Sequence, residues 1–188
     1  MTTASKRSPD RRVRRTRHLL REALVALILE RGWETVSVLD VCARADVGRS
    51  TFYVHFADKE ALLLSGFDDL HASLRAISAH AEAMPFAFVD ALVVQAKENH
   101  RLFRALVGRR SGQAVQRRFR DVVRRLIMTE LEVLEVAKAD RALVARYAAG
   151  GLVECLIAAL ERPSGVDAPA FAADMRRFTL GVITGAPR

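Results

Sequence analysis

A chain of 188 residues, 51% of them hydrophobic and with a formal net charge of +8, has enough apolar material for one large domain or two small ones. No apolar run reaches the ~18–20 residues of a membrane span, and the first apolar stretch follows a dense arginine cluster instead of forming a secretory leader. The two cysteines, Cys42 and Cys155, lie too far apart to suggest a disulfide framework or metal-ligand spacing, so both are expected as small buried residues of a cytoplasmic protein.

The positive charge is concentrated at the start of the chain. Between Lys6 and Arg21 eight basic residues face one acid, Asp10. Such a block repels itself and seeks a polyanion, which predicts a flexible basic arm over 1–15. Leu20, Leu24, Leu27 and Ile28 then recur at three- and four-residue spacing, the stripe of a helix over 16–31 that Gly32 stops. Trp33 follows as an expected core aromatic. Ser37 and Asp40 form a capping pattern for a short helix, Val38–Ala45, whose inner face is Val38, Val41, Cys42 and Ala45. Asp46-Val47-Gly48 breaks it, a second helix runs over 49–56, and Asp58 caps a longer one, Lys59–His80. Beyond Pro85 come amphipathic helices over 86–99, 100–107, 115–137, 141–161 and 169–183. The division expected is a small domain over 16–62 and a larger one over 63–188.

Two short helices joined by a tight turn, the first capped and the second exposed, form a helix-turn-helix. Its turn needs a residue tolerant of left-handed geometry, here Asp46. Phe52 and Phe56, four apart, face the core with Val47, leaving Arg49, Ser50, Tyr53 and Val54 outward and Thr51 and His55 at the flanks. Arg49 can donate two hydrogen bonds to a guanine, and Ser50 or Thr51 can meet base edges or phosphate. Tyr53, His55 and Lys59 suit phosphate contacts, which set register without reading sequence; Lys59 also opens a helix whose N–H groups favour anions.

Residues 16–64 resemble the N-terminal domain of the TetR family of transcriptional regulators. The resemblance rests on Gly32-Trp33, Thr35, Val36-Ser37, Val41, Ala45 and Val47, and above all on the run from Thr51 to Glu60, TFYVHFADKE. Asp46 and Gly48 depart from it, standing where glycine and a capping serine are usual. The resemblance implies an all-α fold: a three-helix helix-turn-helix DNA-binding domain plus a larger helical ligand-binding and dimerisation bundle, about nine helices in all. It implies a homodimer joined through the last two helices, repression of transcription from a palindromic double-stranded operator, and release by a small molecule, with no catalysis and no cofactor. The implied DNA contacts fall on Ser37, Arg49, Ser50, Thr51, Tyr53, His55 and Lys59.

The larger domain is less explicit. Ala148-Ala149-Gly150-Gly151 would let another helix approach closely, either a neighbour in the same chain or, with Phe171, Met175, Phe178 and Leu180, a partner subunit. Nine arginines between Arg101 and Arg125 face one acid, Asp121, and read either as a solvated face or as an anion site. Phe67, Leu70, His71, Phe88, Leu92, Gln95 and Phe103 are the candidates to line an effector cavity. Two other readings remain. A helical enzyme finds no nucleophile–base pair or phosphate loop in its support; a basic scaffold coating nucleic acid without sequence preference has only the arginine block.

Overall fold

The computed structural model describes residues 7–80, 84–107, 113–162 and 166–184, and its regular elements there are all helical. In chain order they are α1 (Arg7–Arg31), a single 3-10 turn (Trp33–Thr35), α2 (Val38–Ala45), α3 (Arg49–His55), α4 (Lys59–His80), α5 (Phe88–Glu98), α6 (His100–Val107), α7 (Gln113–Val133), α8 (Lys138–Leu160) and α9 (Ala168–Thr184). They fall into two compact units, Met1–Gly66 and Phe67–Arg188, with the division inside α4.

In the first unit α1 packs on α2, and Leu20, Ala23, Leu24, Leu27 and Ile28 of α1 are buried together with Val36, Val41, Cys42, Phe52, Phe56 and Leu62. The basic segment expected as a flexible arm is helical from Arg7 onward. Arginine is a strong helix former, Pro9 lies in the first turn where its missing N–H matters least, and Arg11, Arg12, Arg14 and Arg15 stay exposed, so the charges remain hydrated. Positions 1–6 of the expected arm lie outside the described residues.

The cap before α2 closes as the sequence implies. The Ser37 hydroxyl accepts from the Asp40 N–H at 3.2 Å, and the Asp40 carboxylate accepts from the Ser37 N–H at 2.8 Å. Arg31 adds an ion pair to Asp40 at 2.8 Å. Hydrogen bonding from Ser37 first, and then from Arg31, holds the Asp40 carboxyl well below the usual carboxylate range. At the other end Asp46 takes the left-handed conformation (φ 52°, ψ 47°), and the chain turns with the Val47 N–H donating to the Cys42 carbonyl at 3.0 Å.

Two expectations change here. Trp33 is not a core aromatic: no residue of its 3-10 turn is buried, and its ring lies 4.4 Å below the Lys59 ammonium. An indole half in water can offer its face to a cation, which a fully buried one cannot do without desolvating the charge. Cys42 is buried as expected, but Cys155 is exposed.

The second unit packs α7 on α8 and α5 on α9. Phe86, Phe88, Leu92, Phe119, Val122, Ile127 and Val153 are fully buried in it. The Glu130 carboxylate accepts from the Phe86 N–H at 3.2 Å and holds that residue in a left-handed conformation (φ 61°). Arg176 pairs with Asp90 at 2.6 Å and ties α9 to α5. One helix, α8, is long and apolar enough by length and composition to cross a bilayer, although no uninterrupted apolar run announced it; half of that stretch is buried inside the unit. Its alanines and glycines carry the apolar character without forming a run of large side chains.

Replacing Ser37 by alanine is expected to destabilise the fold by about 1 kcal/mol in denaturant or thermal unfolding. Asp46→Gly should stabilise it by about 1 kcal/mol, since glycine adopts the left-handed turn without a Cβ penalty. Because the folded Asp40 pKa is depressed, its contribution is fully present at neutral pH. It is expected to fade only as the pH falls below the ordinary carboxylate range, which an acid titration of stability reads.

Candidate nucleic-acid interface and effector cavity

The side chains of α3 divide sharply by environment. Phe52 is fully buried, while Arg49, Ser50, Thr51, Tyr53 and Val54 are exposed, Tyr53 at 51% and Val54 at 79%. Tyr53 meets the Phe52 ring edge-on (5.4 Å between centroids, 83° between planes), so a buried side chain braces an open one. His55 is half-buried, 6.4 Å from the Phe56 ring, and the Arg17 guanidinium lies 5.1 Å from that same ring. Burial pushes the Cys42 thiol up, against a smaller downward pull from the Arg49 charge. Gly48 caps α3 without a side-chain hydrogen bond. A Cβ there would meet only Thr51 Oγ1 at 3.8 Å and Ser50 Oγ at 4.0 Å, ordinary contacts that leave room for the serine this position lacks.

Of the seven expected DNA-contacting residues, the structure gathers Arg49, Ser50, Thr51, Tyr53 and His55 on α3. The other two are engaged elsewhere. Ser37 is exposed, but its hydroxyl is hydrogen-bonded to Asp40. Lys59 is turned inward: its ammonium donates to the Trp33 carbonyl at 3.0 Å and the Val36 carbonyl at 2.8 Å. With the Trp33 ring beneath it, this cation fastens the first turn of α4 to the segment leading into α2. Periodicity could not reveal the pairing, because it joins residues 26 apart through space.

The residues expected to line an effector cavity are mostly packing residues. Phe67, Phe88 and Leu92 are buried, and the rings of Phe67 and Phe103 both rest on Phe119, with centroids at 6.0 and 5.5 Å. Leu70, His71 and Gln95 are half-buried. Burial lowers the His71 pKa, and the Arg125 and Arg75 charges lower it further, so the neutral imidazole is favoured. A half-open cavity of about 490 Å³ lies elsewhere, bounded by α5, α6, α8 and the start of α9, and none of the seven lines it. Val93, Leu156, Ala159 and Ala168 form its buried apolar floor, and Lys97, His100, Arg104 and Arg162 line it as exposed polar groups. Sequence reasoning singled out only Arg104 among them, within the Arg101–Arg125 region read as a solvated face or an anion site; Lys97, His100 and Arg162 come from other elements that share no periodicity with it.

The second basic region is partly neutralised within the chain. Arg118 and Arg125 share Asp68 at 2.7 and 3.4 Å, and Arg124 pairs with Asp121 at 3.4 Å. Arg109 and Arg110 lie outside the described residues.

Residues 20–65 match the family model of bacterial regulatory proteins, tetR family. The HTH-type transcriptional regulator YxbF of Bacillus subtilis (strain 168) is 38% identical over 55 residues, which are 29% of this chain and 14% of that protein's length. Over nearly the whole chain the fold matches a TetR-family transcriptional regulator from Syntrophomonas wolfei with a TM-score of 0.73 and 17% identity, covering 93% of this chain and 97% of the other. A TetR transcriptional regulator from Streptococcus agalactiae superposes with a TM-score of 0.69 and 21% identity, covering 90% and 96%.

Lys59→Met keeps the alkyl stem and removes the ammonium. It is expected to destabilise the fold by about 1–3 kcal/mol, through lost charge-assisted hydrogen bonds and the cation–π contact. Arg49→Ala should shift stability by no more than about 0.5 kcal/mol, as for an ordinary surface substitution. Parallel thermal melts of the two variants compare them directly.

Proposed function

We propose that the chain is a TetR-family repressor that grips a palindromic operator as a homodimer and releases it when a small molecule enters the second unit, a reading supported by the match of residues 20–65 to the tetR-family model and by the likeness of the fold to TetR regulators. The observation that carries the DNA-reading half is the outer face of α3. Arg49, Ser50, Thr51 and Tyr53 stand open to solvent on a helix anchored from beneath by Phe52, directly after a capped partner helix and a left-handed turn. A recognition helix reads bases from its N-terminal turn. Arg49 is assigned to a guanine edge, Ser50 and Thr51 to base edges or phosphate, and Tyr53 and His55 to phosphate. Ser37 acts through the cap that orients α2. Lys59 acts by holding the first turn of α4 in register, beyond whatever contact its remaining N–H makes.

The dimer reading is supported by α8 and α9. Leu143, Tyr147 and Phe178 are large apolar side chains left 72%, 69% and 54% exposed, and Gly151 and Cys155 are exposed on α8 with them. A glycine inside a helix costs about 1 kcal/mol against alanine, so two in succession call for a close neighbour. No neighbour among the described residues supplies one: a Cβ on Gly150 or Gly151 would meet nothing within 4 Å there. A partner helix would use that space. Met175 belongs to the unit's own core and Phe171 to the cavity, so they drop out of the expected dimer face.

The decisive experiment is selection of bound sequences from a random DNA pool at fixed salt, followed by competition with unrelated DNA. A palindrome with half-sites about one helical turn apart, or a multiple, is the expected result. Binding that yields no consensus and collapses in modest salt would replace operator reading with nonspecific coating. On the selected site Arg49→Ala should lose about 1–3 kcal/mol of discrimination while retaining its affinity for random DNA; equal losses on both would contradict the assignment. Tyr147→Glu should shift the dimer to monomer in sedimentation equilibrium and weaken operator binding with it.

A further inference from the structure

The cavity between α5, α6, α8 and the start of α9 combines two properties that no single common solute satisfies. Its floor is apolar and buried, formed by Val93, Leu156, Ala159 and Ala168. Among the described residues its remaining lining carries three permanent cations, Lys97, Arg104 and Arg162, with the His100 ring as a further donor, against one carboxylate, Glu161, which has an interaction of its own. Other arginines of this unit are neutralised inside it: Arg118 and Arg125 by Asp68, Arg124 by Asp121, Arg176 by Asp90 and Arg177 by Asp174. Lys97, Arg104 and Arg162 make no ion pair among the described residues. The cavity therefore concentrates positive charge beside an apolar surface, where an anion gains charge-assisted hydrogen bonds while its apolar part leaves water.

Its volume, about 490 Å³, lies within the range of small-molecule sites. A small inorganic anion would satisfy the cations and leave the floor wetted; a neutral hydrocarbon would cover the floor and leave the cations without counter-charge. We propose that the cavity binds an amphipathic organic anion, an aliphatic or aromatic body carrying a carboxylate or phosphate headgroup, and that this is the class of molecule that releases the operator. The apolar body rests on Val93, Leu156 and Phe171, and the headgroup takes its hydrogen bonds from Lys97 and Arg104. The release step rests on the repressor reading given above. Its route is short: α8 carries Leu156 and Ala159 on the cavity side and Tyr147 and Gly151 on the exposed side, so an occupant that shifts α8 also shifts the proposed dimer face.

Four probes separate the possibilities by calorimetry on the full-length protein below their micellar concentrations: decanoate, decyl phosphate, decanol and acetate. Decanoate or decyl phosphate should bind at least about tenfold more tightly than decanol, which lacks the charge, and than acetate, which lacks the chain. The tighter of the two anions identifies the headgroup. The double variant Lys97→Gln/Arg104→Gln should lose that tenfold preference with an unchanged thermal melt and unchanged operator affinity, since both side chains are exposed and lie outside the first unit. Equal binding of decanol and decanoate, or anion binding untouched by the double variant, would overturn the site. Anion binding that depends on Lys97 and Arg104 but leaves the operator complex intact supports the site and overturns the release reading. Intact operator binding with no calorimetric binding of any probe overturns the site alone.

Discussion

An isolated helix of seven residues does not persist in water, because fixing its first turn costs more than so few hydrogen bonds return. Helix α3 therefore depends on what Phe52 buries, and a fully buried phenylalanine is worth about 1.5–3 kcal/mol. That single anchor lets the neighbouring positions be chosen for something other than stability. Arg49, Ser50 and Thr51 contribute little to the core and stand open to solvent. Tyr53 shares in the anchor by meeting Phe52 edge-on while keeping half its surface free. A recognition surface needs this arrangement, since side chains that hold the helix up cannot also be lent to DNA.

The surroundings of α3 are stiffened by polar devices acting at helix ends. The capping box of Ser37 and Asp40, with Arg31 on the same carboxylate, orients the start of α2. The turn after α2 is held in a left-handed conformation by Asp46. Asp58 caps α4 by accepting from the Ala61 N–H at 2.7 Å, and Lys59 reaches back to two carbonyls ahead of α2. Arg44 adds a two-pronged pair to Glu30 at 2.8 and 2.7 Å, joining α2 to α1. Each contact is modest alone, but together they tie α2 and the start of α4 to α1 and to the segment between α1 and α2.

Local signals made much of this legible in the sequence. Val38–Ala45, Lys59–His80 and His100–Val107 begin and end where their caps and breakers place them, because a cap is written within three or four residues of the helix it starts. The outward positions of α3 follow from the four-residue spacing of Phe52 and Phe56. Illegible were the contacts that only a folded chain creates. Lys59 read as a phosphate contact at a helix start and Trp33 as a core residue; that the fold stacks one on the other could not be seen in the sequence. The early start of α1 was hidden because charge density argues for disorder while arginine's helix propensity argues against it. In the second unit, apolar periodicity marks the inward side of a helix and cannot say whether that side meets another side chain or a void. Phe67, Phe88, Leu92 and Phe103 met side chains, and the void opened where Lys97, Arg104 and Arg162 converge from separate elements.

Helix α8 joins these themes. An amphipathic helix shows one apolar stripe, whereas a helix apolar all round must be covered on every side. Ala145, Ala149, Val153 and Leu156 are covered by the unit itself; Leu143, Tyr147 and Gly151 are not. The length and composition that let this helix pass for a membrane span are thus the marks of a helix with two apolar sides, one inside its own bundle and one turned outward. If the outward side meets a second copy, the same helix lies between the cavity floor and the dimer face with no flexible element in between. A packed helix moves as a body, since its interior is too dense to absorb a displacement locally. On the proposed reading, an occupant of the cavity that displaces α8 as a body displaces the outward face of that helix with it, so cavity and dimer face are coupled through one rigid element.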